Sequence, residues 1–130
     1  MTQSIVMLVG LNPDRTDEVG NVYPETGRVV AKSYVRDRDI RHGLYGSIWG
    51  KHPANCYYLK LHAAIWVAVR VELDGNIIIL DGDANIAKFR AGEIVYEGDE
   101  AGCHAFIAEN YSNIQKAKSA NIFGINLVPG

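Results

Sequence analysis

The chain has 130 residues, of which 48% are apolar and 22% charged, and its formal net charge is −2. Such a length suits a single domain over residues 1–130 with a buried core, and the composition argues against both disorder and a helical membrane span. A weakly acidic balance gives no global attraction to phosphate backbones, so nucleic-acid binding would need a local basic patch. Met1 to Val9 lacks the charged start and long apolar middle of a secretory leader, so a cytoplasmic location is expected. In that compartment Cys56 and Cys103 are expected as free thiols.

Ser4-Ile5-Val6-Met7-Leu8-Val9 is a short apolar run stopped by Gly10, and reads as a first strand. Between residues 10 and 28 the breakers Gly10, Asn12-Pro13-Asp14, Gly20-Asn21, Pro24 and Gly27 argue for a long loop, either functional or mobile. Arg28 to Val35 resumes strand character through Val29, Val30, Tyr34 and Val35. The signs in Arg36-Asp37-Arg38-Asp39-Ile40-Arg41-His42 mostly cancel, as in a solvated surface segment laced with weak ion pairs.

Gly43 to Pro53 places Leu44, Tyr45, Ile48 and Trp49 on a backbone interrupted by Gly43, Gly46 and Gly50, which cannot be a regular helix. Two readings stay open. Tyr45 and Trp49 plug the open end of a sheet, or they form a ligand wall in which aromatic faces beside Arg41, His42 and Lys51 stack on a base and neutralise a phosphate.

The most continuous β-forming block runs from residue 56 to 98. From Tyr57 to Leu73 every odd position is apolar, which places one unbroken stripe on a core. The block exceeds ordinary strand length, and His62-Ala63-Ala64 is the expected break. Asp74-Gly75-Asn76 predicts a tight antiparallel hairpin between 69–73 and 77–80, and Asp81-Gly82-Asp83 ends the second of those strands. Alternation resumes over 87–91, and a phase change after Gly92 suggests a bulge or short turn before Ile94 and Tyr96. On the even face Tyr58, Trp66 and Ala68 mix with Lys60, Arg70 and Glu72, a pattern that suits either a subunit interface or cover by another part of the same chain.

From Asp99 the spacing of Cys103, Phe106, Ile107, Tyr111 and Ile114 predicts a helix over about 100–118 with Asp99 as its N-cap, and residues 122–128 read as a strand or extended tail. Cys103 and His104 are adjacent on that helix and point about 100° apart, so they cannot act together as nucleophile and base. Cys56 and His62 lie roughly 20 Å apart on a straight strand. No local zinc spacing occurs, and turn formation explains Asp81 and Asp83.

Lys88-Phe89-Arg90-Ala91-Gly92-Glu93-Ile94-Val95-Tyr96-Glu97 followed by Gly102-Cys103-His104-Ala105-Phe106-Ile107 into Lys116-Ala117 resembles the small domain that follows pentapeptide repeats in uncharacterised phage and bacterial proteins. Those domains carry a Lys-Cys-Arg-Ala strand motif and a Gly-Ile-His-Phe-Phe motif opening a helix. Here Phe89 stands in place of the strand cysteine, the intervening segment is shorter, and the likeness covers under a quarter of the chain without any pentapeptide repeats. The resemblance implies an α+β accessory domain, transfers no activity, and adds His104 to the candidate ligand-binding residues Arg41, His42, Tyr45, Trp49 and Lys51.

The expected fold is therefore α+β, a mostly antiparallel sheet with one main helix packed on a face. The expected function is that of a non-catalytic cytoplasmic binding protein, a homo-oligomer holding a small anionic or nucleotide-like ligand without a cofactor or metal. The alternatives are a small enzyme using His42, His62 or His104 as general base, and a structural or interaction subunit.

Overall fold

The computed structural model describes residues 4–17, 19–37, 39–47, 63–72, 77–81 and 86–110. The fold is α+β, a mostly antiparallel sheet with one helix against it. Its strands are β1 (Ser4–Leu11), β2 (Gly27–Val30), β3 (Leu44–Ser47), β4 (Ile65–Glu72), β5 (Ile78–Asp81), β6 (Ile86–Phe89) and β7 (Ala91–Gly98), and the helix is α1 (Glu100–Asn110). The order across the sheet is β2-β7-β4-β1-β3-β6-β5.

One junction determines the shape. β6 ends at Phe89 and β7 begins at Ala91, although β4, β1 and β3 lie between them in the sheet. In a flat sheet the four intervening spacings would hold β6 and β7 about 19 Å apart, whereas two residues of chain reach only about 7 Å. The sheet therefore curls until its flanks meet at Arg90. The amide of Ala31 donates to the Arg90 carbonyl at 2.9 Å, which ties the end of β2 into the same junction. The phase change expected beside Gly92 is this bend. At Gly92 an added Cβ would lie 2.5 Å from Val69 Cγ1 and 2.9 Å from the Arg70 carbonyl oxygen, so only glycine lets β7 approach β4 this closely.

Curling encloses one face. Ile5, Met7, Val9 and Leu11 of β1 meet Val67, Val69 and Val71 of β4, with Val29, Leu44, Ala87, Phe89 and Ile94 from the other strands and Tyr23 from the loop before β2. Alternation on β1 and β4 sends the intervening residues outward, and α1 covers part of them. Cys103 and Ile107 pack on Val6, Leu8, Trp66 and Ala68 in a second buried cluster, and the Tyr96 and Phe106 rings stack with centroids 4.8 Å apart beside it. Burying each such aliphatic or aromatic side chain contributes about 1.5–3 kcal/mol. Asp99 caps α1 as expected, accepting from the Gly102 amide at 2.6 Å. The predicted continuation of the helix to 118 and the tail strand at 122–128 lie outside the described residues.

Several expectations are corrected. The strands on either side of Asp74-Gly75-Asn76 do not form a hairpin: β4 pairs with β1 and β7, and β5 pairs with β6. Both edges of β4 are occupied, by β1 and β7, and Ile77, just before β5, is buried. Gly10 does not end the first strand, because β1 runs on to Leu11 with Gly10 opposite Trp66. A Cβ there would come within 3.1 Å of the Trp66 ring, so the glycine makes room for the indole. β2 stops at Val30 rather than Val35, since the next two amides turn to Arg90 and to the Asn21 side chain. Leu44 to Ser47, expected not to be a regular helix, forms strand β3.

The loop before β2 is built around side chains. Asp17 and Asn21 are buried, and Asp17 accepts from the Val19 and Asn21 amides and from Asn21 Nδ2, while Asn21 Nδ2 also donates to the Gly43 carbonyl. Arg15, at φ 67°, donates to the Tyr23 and Pro24 carbonyls and pairs with Glu97 at 2.8 Å. Side-chain acceptors and donors thus satisfy a backbone that has no sheet partner along most of its length.

Candidate functional site

Lys88 points out of the curl from the middle of β6 and is completely buried. The segment from Tyr34 to Gly43 lies across it. Its ammonium donates to the Val35 carbonyl at 2.7 Å, to Asp37 Oδ1 at 2.7 Å and to the Asp39 carbonyl at 3.2 Å, with the Tyr34 ring centroid 5.5 Å away. Three N–H groups therefore have three acceptors. Gly43 lies against the lysine stem, where a Cβ would sit 2.6 Å from Cγ. The acidic and basic run at 36–42 is thus more than a solvated surface segment: one of its carboxylates is the counter-ion of a buried lysine.

Asp37 is held down to about 2 by the Lys88 hydrogen bond, then by the Asp39 amide and by His42. Its folded pKa lies below that of an unfolded aspartate, so its stabilising contribution is full above about pH 4 and is lost as pH falls toward 2. The protection factors of amides over residues 34–43, exchange rates taken relative to the unfolded chain at the same pH, are expected to fall through that window ahead of those in β1 and β4. Protection in this segment that is as high at pH 2 as at pH 6 would contradict the assigned anchor.

The ligand-wall residues expected from the sequence divide between places. Arg41 and His42 lie on the 3-10 turn Ile40–His42. Arg41 is exposed, yet its fork is occupied by Asp39, with Nε at 3.0 Å and an Nη at 2.6 Å, and these bonds hold the Asp39 carboxyl well below its ordinary range. His42 Nδ1 lies 3.1 Å from Asp37 Oδ2. Tyr45 is on β3 opposite Lys88 and is only 4% exposed, so it is not an open wall. Trp49 and Lys51 lie outside the described residues, as do Cys56 and His62. His104 lies on α1, which packs over β1, β4 and β7 rather than beside the 34–43 segment. Cys103 is buried in that packing, and burial pushes its thiol up to about 11, which suits a core residue rather than a nucleophile.

A recess of about 440 Å³ opens elsewhere, at the end of the curl beside the β6–β7 junction. Its charged lining is Arg28 of β2, Arg70 and Glu72 of β4, Arg90 of the junction and Glu93 of β7. Register explains the grouping. Glu93 stands opposite both Arg28 and Arg70, and Val30 stands opposite Ala91, so the small Ala91 side chain leaves a dip between larger neighbours. Arg70 pairs with Glu93. Arg28, Arg90 and Glu72 are exposed and form no ion pair among the described residues. Comparison with family models, curated proteins and solved structures finds no match to this chain.

The recess therefore rests on its own geometry. Its lining offers guanidinium groups in excess of carboxylates, which suits recognition of an anion by charge-assisted hydrogen bonds. Sequence reading missed it because its arginines are far apart in the chain and each sits alone on a strand. The phase change near Gly92 was the one available signal, since it marks the bend that turns Arg90 toward β2. Among the described residues no three His, Cys, Asp or Glu side chains gather as metal ligands, and no helix is long and apolar enough to cross a membrane.

Proposed function

We propose that the chain is a non-catalytic binding protein that holds a small anionic ligand, and that the ligand occupies the recess at the β6–β7 junction. The observation that carries this reading is that Arg28 and Arg90 line the recess without an ion-pair partner among the described residues, while Arg70 is neutralised by Glu93. Arginine, glutamate and apolar groups bind and orient, and this lining supplies no serine, cysteine or histidine nucleophile or base, which favours binding over the histidine-based enzyme. The accessory role in phage or bacterial cytoplasm rests on the likeness of residues 88 to 117 described above. Self-association belongs to the same proposal, and exposed Val22 and Val30, at 65% and 53%, favour the β2 side of the molecule over the covered Trp66 face.

Titration with inorganic phosphate and with adenosine monophosphate tests the reading. Arg28→Ala and Arg90→Ala are each expected to weaken binding about tenfold, the effect of losing one charge-assisted contact at a part-exposed site. Both side chains are exposed, so the variants keep the wild-type melting curve. A wild type that binds neither of these anions nor a small dicarboxylate at millimolar concentration ends the proposal.

A further inference from the structure

The recess contains a carboxylate that a simple anion would leave opposed. Glu72, at the end of β4, lines it together with Arg28 and Arg90, and none of the three has an ion-pair partner among the described residues. The Arg70–Glu93 pair is internally neutral, so among the described residues the groups left to meet a ligand carry two positive charges and one negative charge. Phosphate satisfies the arginines and is repelled by Glu72. A ligand with two anionic groups and one ammonium satisfies all three.

We infer that the recess takes an acidic amino acid, its two carboxylates meeting Arg28 and Arg90 and its ammonium meeting Glu72. This deepens the proposed anion-binding function and rests on it. Size is compatible: about 440 Å³ lies within the usual range of small-molecule sites, about 300–1,000 Å³. Of the apolar residues of the lining, Val71, Ile77 and Phe89 are at most 2% exposed, whereas Val30 is 53% exposed. Charged side chains outnumber this one large exposed apolar group, so a small, highly charged ligand with a short aliphatic body fits the lining. The guanidinium forks match planar carboxylates, and the Glu72 side chain offers acceptor oxygens to an amine.

Calorimetric titration with L-glutamate and with glutarate, the same dicarboxylate without the amine, tests the inference on the wild type and Glu72→Gln. L-glutamate is expected to bind the wild type about tenfold more tightly than glutarate, and Glu72→Gln is expected to abolish that preference while retaining glutarate binding. Glu72 is exposed, so the variant folds, which its melting curve verifies. Equal binding of the two ligands to the wild type overturns the inference, as does a preference for L-glutamate that survives Glu72→Gln. In either case, glutarate or phosphate binding that depends on Arg28 and Arg90 leaves the anion-binding reading standing. Failure of glutamate, glutarate and phosphate alike to bind overturns both.

Discussion

Trp66→Glu is expected to unfold the protein. The indole is 6% exposed and packs with Val6, Leu8 and Ala68 of the sheet against Cys103 and Ile107 of α1. Removing a buried aromatic ring of this kind costs about 3–5 kcal/mol, and the incoming carboxylate adds a desolvation cost of several kcal/mol because the described residues packed around the ring are apolar. The sum rivals the whole stability of a typical domain, about 5–15 kcal/mol. Far-ultraviolet circular dichroism at 25 °C would report it directly. Trp66→Phe keeps most of the buried surface and should remain folded, at a cost within the ordinary range of about 0.5–3 kcal/mol. A folded, monomeric Trp66→Glu protein would instead mean that the ring belongs to a contact between subunits and that α1 does not cover it.

The second large effect is expected at Lys88. Lys88→Met retains the stem that lies against Gly43 and removes all three hydrogen bonds of the ammonium. The acceptors recover part of the loss by hydration, since the Asp37 side chain is 38% exposed, so the net destabilisation is expected at roughly 2–4 kcal/mol. Two readouts separate loss of the anchor from general loosening of the core. Limited proteolysis should find a new cleavage site between residues 34 and 43, and the Asp37 carboxyl should titrate closer to an ordinary aspartate, because its largest perturbing partner has gone. A denaturant midpoint indistinguishable from wild type would show that the lysine is dispensable to that segment.

Much of the strand content was legible in the sequence because period-two alternation depends only on which face of a strand is buried. Val67, Val69 and Val71 lie in the enclosed core as their odd positions imply, and β4 begins at Ile65, directly after Ala63-Ala64, while residues 56–62 of the block lie outside the described residues. Pairing was less legible. Asp74-Gly75-Asn76 is a sound local hairpin signal, yet an aspartate-glycine turn says nothing about which edges of the flanking strands are already taken. β1 and β7 claim both edges of β4 through registers set by residues far away in the chain. Burial on the even face was similarly ambiguous: Trp66 and Ala68 are covered while Arg70 and Glu72 remain exposed, because α1 reaches only part of β4.

The candidate site was hardly legible at all. Clusters read from sequence are clusters of neighbours in the chain, and Gly43 to Pro53 drew notice for that reason. Of its aromatic residues, Tyr45 is buried in β3. Arg28, Arg70 and Arg90 are brought together by cross-strand register and by a bend, neither of which leaves a local pattern. Lys88 shows the same limit from the opposite side. An isolated lysine in an alternating strand reads as solvent-facing, and only the chain folding back from Val35 to Asp39 supplies the acceptors that allow it to be buried.

The pairing of β1 also bears on how the protein is made. β1 is finished at Leu11, but its longest partner extends to Glu72 and the flanking β7 to Gly98. At about 5–20 residues per second, the ribosome needs roughly 3–12 s to proceed from the end of β1 to the end of β4. Throughout that interval Ile5, Val6, Met7, Leu8 and Val9 have emerged, or are emerging, without the strand that will cover their edges. A nascent chain that carries so apolar a strand unpaired for this long is a natural client for a ribosome-associated chaperone.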